Sequence, residues 1–237
     1  MGEQAAKFTG RGRSSASIAP RQRLEDEAYS AIREMIINNE LTGGQIVSVA
    51  ALAEYLGVSR SPVTKAIAAL EQDGFVESEP FKAPRVATVT TKFVRDVYEL
   101  RTVLEARSAA SGVPHLTADD LASLSEGLHE LSSGPSTDPE MLAKFDVEVH
   151  RLFAQRADNP LLAAFLDNLD LHLRRIRNVY GEHIYSEPET DIQVAELRDL
   201  IQAALDGDGG AAEIAMRDHV SRHAQRLIAK IEEDAGG

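Results

Sequence analysis

The chain contains no cysteine and no tryptophan, and aromatic residues make up only 5% of its 237 positions. Without a thiol there can be no disulfide, thiolate-held zinc, iron–sulfur cluster or cysteine nucleophile. No window approaches the roughly 18 apolar residues that cross a bilayer, and no apolar stretch near the start suggests a secretion signal. These absences lead us to expect a cytoplasmic protein without a membrane partner. The common catalytic fingerprints are missing too: there is no H-E-x-x-H, P-loop, G-x-S-x-G or dinucleotide glycine motif. A di-iron carboxylate bundle needs E-x-x-H on two helices; Glu126 with His129 supplies one such pair and no second exists. We therefore expect no enzyme.

What the chain does have is an ordinary apolar fraction of 43%, enough to bury a core, and a net charge of −13. That acidity would discourage a nucleic-acid partner if it were evenly spread. It is not: residues 1–90 are nearly neutral at −1, whereas residues 91–237 carry −12. Lys7, Arg11, Arg13, Arg21 and Arg23 against Glu3 make residues 1–23 a basic, Gly/Ser-rich arm without apolar periodicity, which reads as flexible. A near-neutral head on an acidic body suits two jobs on two domains, residues 24–90 and 91–237.

Within the head, Ala28, Ile32, Met35 and Ile36 form one helical stripe ending near Asn38-Asn39. Ser48 is placed to cap a short helix holding Leu52, Ala53 and Leu56, stopped by Gly57. Ser59 is placed to cap the next, with Pro62 in its first turn, a buried stripe of Val63, Ala66, Ile67 and Leu70, and an end at Asp73-Gly74. Two strand-like runs, 75–77 and 86–89, flank a Pro-containing loop and predict a hairpin. From residue 90 onward the pattern is helix after helix, over roughly 91–111, 117–132, 138–157, 160–180, 190–205 and 210–232. The expected fold is mainly α: a winged helix-turn-helix followed by an all-α bundle of about six or seven helices.

The helix–Gly57–helix unit carries the first function. Ala53 is small where two helices must pack closely, and Gly57 accepts the turn's dihedrals. The second helix would then offer Ser59, Arg60, Ser61, Thr64 and Lys65 to base edges and phosphates of operator DNA, while Val63, Ala66 and Ile67 face inward. Lys82 and Arg85, placed at the hairpin tip, suit phosphate contacts. A single winged helix reads only a short half-site, so a homodimer on a pseudo-palindromic operator is expected. A protein-interaction adaptor that uses the same fold without DNA is the alternative.

Residues 28–89 resemble the winged helix of GntR-type bacterial transcription regulators. The likeness runs through Leu52-Ala53-Glu54, Gly57-Val58-Ser59-Arg60-Ser61-Pro62-Val63, Ala66-Ile67, Leu70-Glu71 and Gly74-Phe75-Val76. Thr64-Lys65 stands where the family usually has Arg-Glu, and Ala68-Ala69 replaces common arginines. At the wing tip, Phe81-Lys82-Ala83-Pro84 replaces the familiar glycine. The segments Asp96–Glu105, Phe145–His150 and Met216–His219 resemble the FCD effector domain of the FadR-like branch. The resemblance implies a ligand-responsive regulator, a repressor released by a small carboxylate metabolite.

Spacing alone puts Asp146 and His150 on one helix face, able to converge on one cation, and His219 and His223 repeat that spacing on the last helix. A carboxylate with imidazoles suits a divalent ion such as zinc, nickel or manganese. The resemblance implies Asp146, His150 and His219 as metal ligands. The family's further histidine, however, falls on Leu197 or Arg198. Either three protein groups hold the ion, with His223 a possible substitute, or the domain is metal-free and Arg198 supplies the positive charge. The family's arginine matching Arg101 points into the effector cavity, where its planar fork suits a carboxylate; otherwise Arg101 pairs with Glu105 at i+4. His115, His129 and His183 read as solvated, His172 as a candidate cavity wall, and Arg174, Arg175 and Arg177 as a solvated face or dimer surface.

Overall fold

The computed structural model describes residues 20–133, 138–184 and 189–236. Its chain divides into two compact units, one of residues up to Ile36 with Leu41–Ala87, the other of Ile37–Glu40 with Thr88 onward. Most of the expected arm lies outside the described residues, but its last four open the first helix, α1 (Pro20–Ile37).

In the first unit, α1 buries Ala28, Ile32 and Ile36 as its periodicity requires, and Asn39 leaves the helix at φ +60°. α2 (Val49–Leu56) starts at Ser48, whose hydroxyl accepts from the Ala51 amide, and stops where Gly57 turns left-handed at φ +67°. α3 (Arg60–Gln72) has Ser59 at its N-cap, yet the hydroxyl makes no capping bond. The reason is Pro62: an N-cap oxygen accepts from the second or third amide of the helix, and the third residue here has no N–H. The hairpin consists of β1 (Val76–Glu77) and β2 (Arg85–Val86), antiparallel, with Val76 opposite Val86. β2 stops well short of Val89, because the residues that would pair with a longer strand already form the turn at Gly74 (φ +75°) that closes α3. The sheet gains instead on its other side, where Ile46 bridges to Arg85.

The second unit holds α4 (Thr91–Gly112), a short 3-10 turn (Val113–His115), α5 (Ala118–Ser132), α6 (Pro139–Arg156), α7 (Pro160–Ile184), α8 (Glu189–Leu205) and α9 (Gly209–Gly236). Every one of the six expected spans is a helix. Thr90 and Asp138 cap α4 and α6, and Thr117 with Asp120 forms a reciprocal capping box on α5. α7 outruns its expected end at residue 180 but kinks there, at Tyr180 (φ −122°). α4 and α9 are the central pair; α6 and α7 pack against α4, and α8 against α9. Leu142, Phe153, Ile176, Leu197, Leu200 and Ile201 are fully buried among them. Among the described residues no helix is long and apolar enough to cross a membrane.

Candidate functional site

Two surfaces answer to the sequence. In the first unit α3 buries Pro62, Val63, Ala66, Ile67 and Leu70, and leaves Ser59, Arg60, Ser61, Thr64 and Lys65 exposed. Of these cations Arg60 is free of ion pairs among the described residues, whereas Lys65 pairs with Glu25 at 2.7 Å. Thr64 is turned back onto its own helix, its hydroxyl donating to the Arg60 carbonyl. The wing differs from expectation. Arg85 is not a tip residue: it sits in β2 opposite Glu77, and its guanidinium donates to the Gly44 carbonyl at 2.8 Å. Lys82 does lie in the loop and pairs with Glu79 at 2.6 Å.

In the second unit, Asp146 and His150 project from one face of α6, as i, i+4 spacing demands, and meet His219 of α9. One ligand atom from each lies within 4.8 Å of the others, and all three residues are buried. His219 Nε2 is 2.9 Å from Asp146 Oδ1, and His150 Nε2 is 3.4 Å from the same oxygen. Two ligands held at right angles about 2.1 Å from one ion are themselves roughly 3 Å apart, so the cluster has the dimensions of a coordination shell. Each imidazole has a carboxylate behind it. Glu105 Oε2 is 2.5 Å from His150 Nδ1, and Glu196 Oε2 is 3.1 Å from His219 Nδ1. Those carboxylates are held in turn, Glu105 by Arg101 Nε at 2.7 Å and Glu196 by both terminal nitrogens of Arg226 at 2.9 and 3.0 Å. This Arg–Glu–His order from both sides is how metal-binding histidines are oriented, with the inner nitrogen aimed at the ion. Both ring nitrogens of His150, Nε2 included, are buried without a well-aligned hydrogen bond, its contact with Glu105 being an ion pair. The donor set therefore fits a divalent ion.

Charge gives the same reading. Asp146, Glu105 and Glu196 face Arg101 and Arg226, which leaves one negative charge for a cation to balance. Burial disfavours the Asp146 carboxylate, but His150 and His219 outweigh it and hold its pKa well below the usual range. Burial likewise opposes Glu105 and Glu196, yet Arg101 with His150 brings the first down to about 2, and His219 with Arg226 brings the second to about 2. Burial would lower His219, but its hydrogen bonds to Asp146 and Glu196 push it up to about 9. An imidazolium at His219 thus supplies the balancing positive charge.

Arg198 does not take that place. It is exposed, its guanidinium 3.3 Å from Ser132 Oγ on α5, while its neighbour Leu197 is fully buried in the core. The residue of α8 that enters the site is Glu196, two positions before Arg198, and sequence reasoning missed it together with Arg226. No i, i+4 pattern links two residues thirty positions apart on different helices. His223 stands one turn beyond His219 but stacks on Tyr98, ring centres 5.7 Å apart, and burial pushes its pKa down to about 3. Arg101 makes the i+4 pair with Glu105 and also lines a cavity of about 320 Å³ between α4, α6 and α7. Glu105 and His150 line it as well, so the cavity reaches the cluster at His150, whereas His219 and Glu196 line a separate pocket between α8 and α9. Arg177 borders the same cavity, 3.4 Å from Asp170, rather than a solvated face. Arg175 is buried, and His172 is buried edge-on to Phe93 instead of lining the cavity. His115 and His129 are exposed as expected; the His183 side chain lies outside the described residues.

A winged helix followed by an all-helical domain defines a class of DNA-binding transcription regulator. Comparison with known proteins gives the same class. Residues 24–86 match the bacterial regulatory proteins of the gntR family, and residues 96–222 match the FCD domain. The chain belongs to the GntR family of transcription regulators, in its FCD-bearing form, and the family is one of DNA-binding regulators, not enzymes. It is 29% identical over 221 residues to the HTH-type transcriptional regulator LutR of Bacillus subtilis, covering 84% of this chain and 99% of that one. To the HTH-type transcriptional repressor RspR of Escherichia coli it is 26% identical over 213 residues, covering 89% and 91%. Among solved structures, E. coli McbR/YncC superposes with a TM-score of 0.65 at 21% identity over 88% of this chain and 98% of that one, a likeness of fold.

Proposed function

We propose that this regulator is a homodimeric, metal-dependent sensor of a small carboxylate, acting as a repressor that the metabolite releases from its operator. Residues 24–90 bind DNA and residues 91–237 sense and dimerise. The observation that carries the reading is the convergence of Asp146, His150 and His219, each imidazole backed by its own Arg–Glu pair, with His150 also lining the cavity. Three protein ligands leave coordination positions open, and the bound ion would supply a positive charge able to coordinate an effector carboxylate. Asp146 brings the charge, Glu105 and Glu196 fix the ring orientations, and Arg101 presents a second cation to the same cavity. Effector contacts with α4, α6 and α7 at once would bias their packing, and DNA affinity follows if the two DNA conformers differ in that packing.

The test is elemental analysis of protein purified without nickel resin, followed by thermal denaturation with and without chelator. About one divalent ion per chain is expected, and chelation should lower the melting temperature by mass action. His150→Ala should abolish both the metal and the chelator effect. Metal-free protein that ignores chelator would sink the metal reading. Sedimentation tests the dimer, and gel shifts on genomic fragments, with their salt dependence, separate a regulator from a protein-interaction adaptor.

A further inference from the structure

The tip of the wing holds a residue that the fold gives no structural reason to keep. Phe81 is 109% exposed, touching nothing that shields it, and its backbone sits in the left-handed region at φ +66°. For a bulky residue that conformation is a true outlier and a strained one. A glycine would occupy the same turn without strain, and it would not set an aromatic ring in water. Strain together with full exposure of a large apolar side chain marks a group held out for a partner. The turn is nevertheless well built: the Lys82 amide donates to the Glu79 carbonyl at 3.0 Å, and β1 just before the loop packs on α3. The loop is thus a short projection anchored to the recognition helix of a DNA-binding domain, with Lys82 beside the ring.

We propose that Phe81 is a DNA-contacting residue of the wing, its ring entering the minor groove as an apolar wedge against a base step. With α3 in the major groove, the groove next to it along the duplex is the minor one, within reach of a wing packed on that helix. Apolar side chains inserted between base steps there partly unstack them and bend the duplex, favouring flexible pyrimidine–purine steps. Lys82 supplies the accompanying phosphate contact once DNA draws it from Glu79. Phe81 then contributes affinity without charge, unlike the phosphate-contacting cations.

The absence of tryptophan makes a direct test simple. Phe81→Trp would place the protein's single indole at the wing tip, so all tryptophan emission reports on that position. The DNA is a set of 30-base-pair duplexes selected from a randomised pool with the wild-type full-length protein. Saturating duplex should strongly quench the F81W emission, and F81A and F81G should each bind about tenfold more weakly with the salt slope unchanged. F81G should also melt at or above the wild-type temperature, which separates lost contact from lost folding. Unquenched emission in F81W at saturation, or wild-type affinity in F81G, overturns the proposal. So does an F81G protein whose only change is its oligomeric state, since the ring would then serve a second copy of the chain.

Discussion

At the residue scale, the centre is a set of charges that hold one another in place. Arg101 does two things through one guanidinium: it neutralises buried Glu105 and it faces the cavity. Removing one partner of a buried ion pair leaves the other uncompensated, which costs on the order of 3–5 kcal/mol. Arg101→Ala should therefore lose the effector response and also melt several degrees lower. A melting curve identical to wild type would mean that Glu105 finds its cation elsewhere. The same substitution is thus a poor probe of effector binding unless stability is measured beside it.

At the scale of elements, close helix packing leaves specific marks. A Cβ on Gly127 of α5 would fall 2.1 Å from the Phe145 ring of α6, directly beside Asp146. No rotation of that alanine is available, so Gly127→Ala must push the Phe145 ring aside. We expect a loss of about 1–3 kcal/mol by overpacking, read as a lower denaturant midpoint, with weakened metal retention. Unchanged stability would show that α5 can shift away from α6 at little cost. Gly209 has the same meaning at the start of α9, where an added Cβ would sit 2.6 Å from the Ala110 carbonyl of α4. Small residues thus let the helices that carry the site approach.

At the scale of the whole molecule, the centre makes stability depend on pH in a definite direction. In chelator-treated protein His219 keeps its proton up to about pH 9, while an unfolded histidine releases it near 6.5. That contribution is complete below pH 6.5 and disappears as pH rises to 9. Glu105 and Glu196, lowered to about 2, contribute fully above pH 4.5 and lose their contribution as pH falls toward 2. His223, held neutral down to about pH 3, adds to the acid loss below 6.5. The melting temperature of metal-free protein should peak near pH 6.5 and fall on both sides. Zinc should flatten the alkaline arm, because the ion replaces the His219 proton. A flat profile between pH 6.5 and 9 without metal would remove the bridging imidazolium.

Local order was legible in the chain. Ser48, Gly57, Thr117, Asp138 and the Gly-Pro breaks act on their immediate neighbours, so their effects can be read from spacing. The i, i+4 pair Asp146 and His150 belongs to the same category, since one helix suffices to bring them together. Ser59 shows the limit of that reasoning even locally: two rules met there, and the missing amide of Pro62 overrode the cap. The rest depended on packing between distant helices. Which residue of α8 turns inward depends on the rotation of that helix against α9, and two positions separate buried Glu196 from exposed Arg198, on either side of core Leu197. Arg226, Arg177 and the strand position of Arg85 are settled the same way. A charged side chain reveals whether it is solvated or paired only when its neighbours from other elements are in place, because the energy of burying it depends on them.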